Sequence, residues 1–299
     1  MPVKRFILGL SLSSKTVQAV EIEQDGISNT LLSLGEWENT LFTGPKENGD
    51  GADRFMEHLS HFISTYRVRA KHVGVTLDTS FLFLNTLPLD AGLSRKEIRD
   101  HVQWELSMYF PEYAPADFVT DVHVLSQEKT EPWNETLTVA VRRHDTIALH
   151  KTIENLGLAL QILDVDHFSA DTALRSNYPD KSKKYIALIG VKENRLDVSL
   201  IRCGNLEDYS YFTIRDDQEI VDQIGTLSRE TRGLHSITAY GSHLNNQLLS
   251  RIRSESSLLV EALNPLRHVR VADSLRIANN LSTPFYHFTS AVGVALRRD

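Results

Sequence analysis

Apolar and polar positions follow two different periods along this chain, and the order in which those periods succeed one another predicts its architecture. Residues 6–12 form a near-continuous apolar run, Ser13-Ser14-Lys15 a tight polar turn, and residues 17–22 a second run broken only by Gln18 and Glu21. Asp25-Gly26 marks another turn and residues 31–37 a third run. Short apolar stretches separated by turn residues predict strands joined by hairpins, so the opening is an antiparallel meander and not a βαβ unit. A polar loop over residues 44–51 leads to a helix over 53–66, where Phe55, Leu59, Phe62 and Ile63 share a face. Residues 73–77 give a short buried strand.

The middle of the chain begins with a strand over 81–87, closed by Pro88. Ser94 and Glu97 have the spacing of a capping box and open a helix to about residue 110, with Ile98, Val102, Leu106 and Tyr109 on one face and Pro111 as its stop. Two strands over 118–125 and 137–141, separated by a polar loop, precede a helix over 145–156 that Gly157 caps in the left-handed region. A strand over 162–165 and a helix over 169–175 follow. From Tyr185 the opening pattern starts again: strands over 185–189, 196–201 and 209–214, with Gly190 as a turn. A helix over 219–231, a strand over 236–240, Gly241-Ser242, a helix to about 254 and a closing helix over 289–297 complete the reading. The repeated meander is an internal duplication.

Residues 8–21, Leu-Gly-Leu-Ser-Leu-Ser-Ser-Lys-Thr-Val-Gln-Ala-Val-Glu, are similar to a phosphate-turn pattern that reads L-G-I-D-I-G-S-S-S-V-K-A-V-E. Leu87-Pro88, Glu97, Ile98 and the stretch from Glu105 to a tyrosine-x-proline at 109–111 follow in the same order. So do residues 137–143, Gly157, residues 164–170, and the end at 288–297, which reads like A-I-G-L-A-L-R. On these motifs the chain resembles the PilM family of type IV pilus assembly proteins, relatives of the cell-division protein FtsA. The resemblance implies an α/β chain with a two-lobed actin-like ATPase (ribonuclease H-like) fold, duplicated sheets and an inserted small α+β subdomain. It implies residues 1–78 as the first part of lobe one, 79–160 as the inserted subdomain, and 161–180 as the return to lobe one. Residues 181–299 are the second lobe, with a closing helix over 289–297 that packs back on the first.

The departures from the family pattern bear on chemistry. Mg²⁺ is held by carboxylates, waters and phosphate oxygens, and a phosphate cradle needs closely approaching N–H groups that glycine favours. Here the family aspartate of the first turn is Ser11, the glycine is Ser13 and the lysine is Gln18. The aspartate of the second turn is Leu188, although Gly190 remains; the third motif is Gly241-Ser242, and a further glycine pair is replaced around Arg215-Asp216-Asp217. The resemblance thus maps a degenerate nucleotide site onto Ser11, Ser13, Ser14, Lys15, Gln18, Leu188, Gly190, Gly241 and Ser242, with no catalytic residue and no metal ligand. Ile214 and Ile237 are 23 positions apart, which leaves room for one helix at about 1.5 Å per residue and makes the second lobe's helical subdomain reduced or absent.

Composition narrows the alternatives. The 299 residues are 41% hydrophobic and carry a formal net charge of -7, without the basic excess of a nucleic-acid binder. The basic cluster from Lys181 to Lys184 reads as a short solvated linker, and the single cysteine, Cys203, excludes an internal disulfide. Lys4-Arg5 with residues 6–12 and Val17-Gln18-Ala19 has the outline of a secretory leader, but the run holds Gly9 and Ser11, so a buried first strand is the better reading. His58 and His61 beside Glu57 could place two metal ligands on one helix face, but they lack a third and read as a solvated face. Asp164 and Asp166, on one side of a strand, and His167 have acid–base composition but fall in a block that the resemblance assigns to structure.

The expected function is a non-catalytic cytoplasmic scaffold of a type IV pilus or type II secretion-like assembly, at the inner face of the cell membrane through its partner. The resemblance implies that the partner is an inner-membrane assembly protein whose short cytoplasmic N-terminal tail docks in a groove near residues 81–87 and 94–110. Phe81, Phe83, Trp104 and Tyr109 are the expected anchors. No cofactor is expected; the alternatives are a living ATPase that holds ATP and Mg, and a self-associating filament former.

Overall fold

The computed structural model describes residues 4–26, 28–41, 50–125, 132–277 and 283–297. The polar loop expected over residues 44–51 lies, except for its last two residues, outside the described residues, as does most of the polar stretch between the strands at 118–125 and 137–141.

The first lobe opens with β1 (Arg5–Leu12), β2 (Thr16–Gln24) and β3 (Asn29–Glu38), then α1 (Asp50–Thr65) and β4 (His72–Leu77). The inserted part is β5 (Phe83–Asp90), α2 (Arg95–Tyr109), β6 (Phe118–Val124), β7 (Trp133–Arg142) and α3 (Arg143–Asn155). The chain then returns through β8 (Ala159–Val165) and α4 (Asp166–Asn177). The second lobe repeats the opening as β9 (Tyr185–Val191), β10 (Arg195–Arg202) and β11 (Asn205–Thr213), followed by α5 (Asp217–Glu230), β12 (Ser236–Tyr240), α6 (Asn246–Glu255) and β13 (Leu259–Ala262). β14 (Arg270–Ile277) and α7 (Thr289–Leu296) close the described chain. Between β11 and β12 a single helix, α5, is present.

Two sheets have the same internal order, β3-β2-β1-β4-β8 and β11-β10-β9-β12-β13, and β14 extends the first beyond β3. In each, the hairpin strands pair antiparallel and the later strands pair parallel. The duplication read from the pattern is therefore a duplicated α/β sheet, the ribonuclease H-like half of an actin-like fold. The third sheet, β5-β7-β6, carries α2 on one face. Ser94 caps α2 as its spacing predicts: the Glu97 N–H donates to Ser94 Oγ at 3.3 Å, and the Ser94 N–H donates to Glu97 Oε2 at 2.8 Å.

Several local expectations are corrected. Pro88 does not close β5 but sits inside it, paired across from Glu135. β5 is an outer strand, where a missing N–H leaves no ladder bond unmade. Gly190 is not a turn residue but lies within β9 opposite Asp197. A Cβ there would stand 2.9 Å from the Tyr240 hydroxyl, so the glycine serves close packing. Lys181 is buried rather than solvated, donating to Thr238 Oγ1 at 2.6 Å and pairing with Glu261. β13 is too short for its alternation to register, and three of the eight residues of β14 are charged, as befits an edge.

The two lobes are joined by an exchange of helices. α7 lies on the first sheet with Val20, Ile22 and Leu34 beneath Phe288, Val292 and Ala295. α4 lies on the second sheet, packing Ala170, Ala173 and Leu174 against Ile186, Leu188 and Tyr240. Where the helices meet, Gly293 rests on the Ser169 carbonyl, and a Cβ would overlap that oxygen. Gly9 on β1 admits the Ala291 carbonyl in the same way. Backbone cannot yield as a flexible side chain can, so Gly293→Ala is expected to cost about 3 kcal/mol or more. Urea unfolding of wild type and variant measures this; a loss within about 0.5 kcal/mol contradicts the crossing described here.

Candidate functional site

The cleft between the sheets is built from the carboxyl ends of their strands, where open α/β sheets place ligand sites. Asp78 follows β4 directly, Asp166 opens α4 immediately after β8, Lys192 follows β9, and Asp197 projects from β10. These four groups meet. The Lys192 ammonium lies 2.8 Å from Asp166 Oδ2, 2.9 Å from Asp197 Oδ2 and 3.5 Å from Asp78 Oδ2, and it donates to Thr79 Oγ1 at 2.6 Å. The Thr79 hydroxyl in turn donates a hydrogen bond to Asp197 Oδ2 at 2.9 Å. Arg195 Nε and the Tyr209 hydroxyl donate to Asp197 Oδ1 at 2.8 and 2.7 Å. Asp166 belongs to a helix start, not to the strand side it was expected to share with Asp164.

Three carboxylates thus share one ammonium and one guanidinium, which leaves an excess negative charge in a buried place. Burial alone would raise the Asp197 carboxyl, but Lys192, His167 and Arg195 overcome it and hold that group well below the usual range. The excess is relieved at Asp166, which burial pushes up to about 7 against the pull of Lys192. Burial would lower the lysine, yet Asp166, Asp197 and Asp78 keep it charged and raise it. His167, buried between Tyr240 and Ser199 at 2.9 Å from each, is lowered to about 4 by burial and is neutral at pH 7. Removing one member of such a buried cluster strands the others and costs about 3–5 kcal/mol.

The residues expected at a nucleotide site surround this cluster. Ser11, Ser13, Gln18, Gly241 and Ser242 line the remaining space with Asp78, Asp166 and Lys192. Leu188 does not; it is fully buried in the second lobe's core. Ser14 and Lys15 are at the exposed tip of the first turn. Ser13 Oγ itself accepts from the N–H groups of Lys15 (3.3 Å) and Thr16 (2.9 Å), the donors a phosphate cradle would offer. Gln18 turns its amide to Glu36 at 2.7 Å. Gly241, at φ +122, fits against the Val191 carbonyl, which a Cβ would overlap. Across the mouth, Lys15 on the first lobe pairs with Glu193 on the second at 2.6 Å.

The space left is about 30 Å³, room for one water, whereas small-molecule sites run to about 300–1,000 Å³. The Mg-nucleotide that an actin-like ATPase fold implies does not fit these residues in this arrangement: the inner volume is occupied by the Lys192 ammonium. Sequence reading missed Lys192, Asp78, Thr79 and Asp197. Part of their signal was available, since Asp78 and Lys192 stand just past the ends of apolar strands.

A much larger space, about 790 Å³, lies on the other side of the inserted sheet. Val119, Asp121 and His123 of β6 and Leu137, Val139 and Val141 of β7 form one wall; Leu163, Phe168 and Thr172 of β8 and α4 form the other. Leu206, at the start of β11, also lines it. Asp171 with Arg175, and Asp164 with Arg297, set ion pairs at its border. β6 and β8 are the outer strands of their sheets, so main-chain donors and acceptors face outward beside an apolar floor.

The expected partner anchors stand elsewhere. Phe81 packs against the first lobe's core. Phe83 stacks on Tyr109 at 4.9 Å on the α2 face, because strand alternation sends Leu84, not Phe83, to the groove side. Trp104 and Tyr109 are 56% and 54% exposed on α2 and do not line the groove. Cys203 is exposed, and among the described residues no group of three or more His, Cys, Asp or Glu side chains stands free to hold a metal ion: the His58–His61 pair is joined by no third ligand, and the three cleft carboxylates are taken by Lys192.

A family model described as type IV pilus assembly protein PilM matches residues 9–213, more than half of the chain, and the chain belongs to that family. No curated protein sequence matches it. Among solved structures, a PilM–PilN type IV pilus biogenesis complex is similar at 16% identity and a TM-score of 0.73, covering 99% of this chain and 98% of the other. A Bacteroides thetaiotaomicron protein with an actin-like ATPase fold and unknown function is similar at 12% identity and a TM-score of 0.51, covering 87% and 91%. The cytoplasmic domain of EpsL, an inner-membrane component of the Vibrio cholerae type II secretion system, is similar at 14% identity and a TM-score of 0.50, covering 84% and 94%. These likenesses establish the actin-like fold.

The charge cluster makes stability depend on pH in a defined direction. Asp166 holds its proton up to about pH 7 when folded but only to 3.8 when unfolded. Between those values the folded state alone is protonated there, so rising pH lowers stability by about 1.4 kcal/mol per unit. Asp166→Asn removes this dependence. The variant is expected to gain on wild type as pH rises from about 4 to about 7 and to level off beyond. Urea titrations across that range test it; a difference that stays constant or shrinks refutes the assignment.

Proposed function

We propose that this member of the PilM family is a non-catalytic cytoplasmic scaffold of a type IV pilus or related assembly, and that it holds the extended cytoplasmic tail of an inner-membrane protein. The observation that carries the reading is the groove between the inserted sheet and α4. Its apolar floor of Val139, Leu163 and Phe168 suits alternate side chains of an extended segment, and the outer strand β6 offers main-chain hydrogen bonds beside it. The similar solved structure is itself a complex of PilM with a second protein, PilN. No helix among the described residues is long and apolar enough to cross a membrane, so attachment through a partner's segment is in keeping with the chain.

The filled cleft supports the non-catalytic part. Phosphoryl transfer depends on positioned cations and donors around the phosphates. Here the first turn's N–H groups bond to Ser13, and the Lys192 ammonium is held by carboxylates.

Two measurements test the reading together. Calorimetry with a synthetic cytoplasmic tail of a single-pass membrane protein encoded beside this gene is expected to show binding. Val139→Arg, in the groove floor, is expected to weaken it at least about tenfold, while Trp104→Ala leaves it unchanged. Loss on Trp104→Ala with Val139→Arg silent would move the site to the α2 face. Millimolar Mg-ATP is expected to leave the melting temperature of the wild type unchanged. A ligand at 100 times its dissociation constant adds about 2.7 kcal/mol, so a rise of several degrees would favour an active ATPase.

A further inference from the structure

The cleft collects oxygen donors from both lobes around one point. Asp78 and Thr79 come from the end of β4, Asp166 from the start of α4, and Asp197 from β10. Three carboxylates and a hydroxyl are the donor set of a hard divalent cation such as Mg²⁺, Mn²⁺ or Ca²⁺. At their centre stands the Lys192 ammonium, buried, within 2.6–3.5 Å of all four groups. It reaches there from the turn after β9, so a second-lobe side chain is clasped largely by first-lobe oxygens. The remaining hydrogen-bonding capacity of Asp197 is taken by Arg195 and Tyr209.

We propose that Lys192 is the resident cation of this cleft: its ammonium occupies the place of a divalent ion among Asp78, Asp166, Asp197 and Thr79 and clamps the two lobes shut without any ligand. The inference rests on reading the cleft as one that takes no nucleotide, and it adds which residue closes it and what its removal uncovers. An ammonium meets its carboxylates at hydrogen-bond distance, whereas Mg²⁺ needs about 2.1 Å and Ca²⁺ about 2.3–2.6 Å. Shortening the lysine therefore leaves a space that a divalent ion fills with small inward shifts. The cleft would pass from cation-independent to cation-dependent by a single substitution.

The test is thermal unfolding of the full chain with Mg²⁺, Mn²⁺ or Ca²⁺ chloride, against potassium chloride of equal ionic strength. Wild type is expected to respond to none of them. Lys192→Ser is expected to melt well below wild type, and millimolar Mn²⁺ is expected to restore several degrees, with potassium restoring none. Adding Asp197→Asn to Lys192→Ser is expected to abolish the rescue. A control variant, Lys192→Met with Asp197→Asn, removes one charge of each sign and is expected to fold and remain indifferent to cations. A Lys192→Ser protein that is cation-indifferent, or that stays unfolded with and without Mn²⁺, overturns the proposal. So does a wild type or control that gains as much as Lys192→Ser. Stabilisation of the wild type by Mg-ATP would overturn the underlying nucleotide-free reading. A nucleotide-silent wild type with a cation-indifferent Lys192→Ser overturns only the role of Lys192.

Discussion

The close crossing of α4 and α7 is the constraint on which the rest of the molecule depends. Each helix ends one lobe's chain path and lies on the other lobe's sheet, and Gly293 lets their backbones approach until only the Ser169 carbonyl separates them. A crossing of that kind fixes the distance and the angle between the two sheets more firmly than surface ion pairs could, since exposed pairs such as Lys15–Glu193 contribute about 0–1 kcal/mol. It turns the carboxyl ends of β4, β8 and β9 toward one another. Every polar contact in the cleft follows from that geometry.

Once the strand ends face each other, the local chemistry has little freedom. Buried carboxylates must be paired, protonated or bound to a cation. This chain uses the first two: Lys192 and Arg195 serve Asp197, and Asp166 keeps a proton into the neutral range. The same helix that begins with Asp166 in the cleft presents Phe168, Asp171, Thr172 and Arg175 to the large groove. Cleft and groove therefore share a wall. An arrangement that holds α4 rigid from one side also holds the groove's shape on the other.

Much of this was legible in the chain. The strand–turn–strand–strand pattern at residues 6–37 and its recurrence from Tyr185 pointed to the duplicated sheet, because apolar runs this short, bounded by turn residues, are too brief for helices. Ser94 and Glu97 marked the start of α2 to the residue. What stayed hidden depended on distance. Thr79 and Asp197 are 118 positions apart and become partners only through sheet order. The cost of Ser13 for a phosphate turn could be read as a lost glycine, but not that its hydroxyl would take the Lys15 and Thr16 N–H groups for itself. The groove beyond the inserted sheet was not legible from the α2 aromatics, because helical spacing reports that a face is apolar without saying whether a sheet or a partner covers it. Lys181 looked solvated for a similar reason: a basic run says nothing of Thr238 and Glu261 waiting on neighbouring strands.

The order in which the first sheet is completed has a consequence for biosynthesis. β14 adds to the outer side of β3, and α7 covers β1, β2 and β4, so a sheet whose hairpin strands the ribosome makes early is finished by segments it makes much later. Until residues 270–296 have emerged, Gly9, Val20 and Ile22 have no helix to cover them, whereas the second sheet already holds all five of its strands. Pairings so distant in sequence close late, since the entropy of a long loop must be overcome before they contribute. The nascent amino-terminal half is thus a species with an open apolar face and a bare strand edge, the condition under which chains need a chaperone's protection.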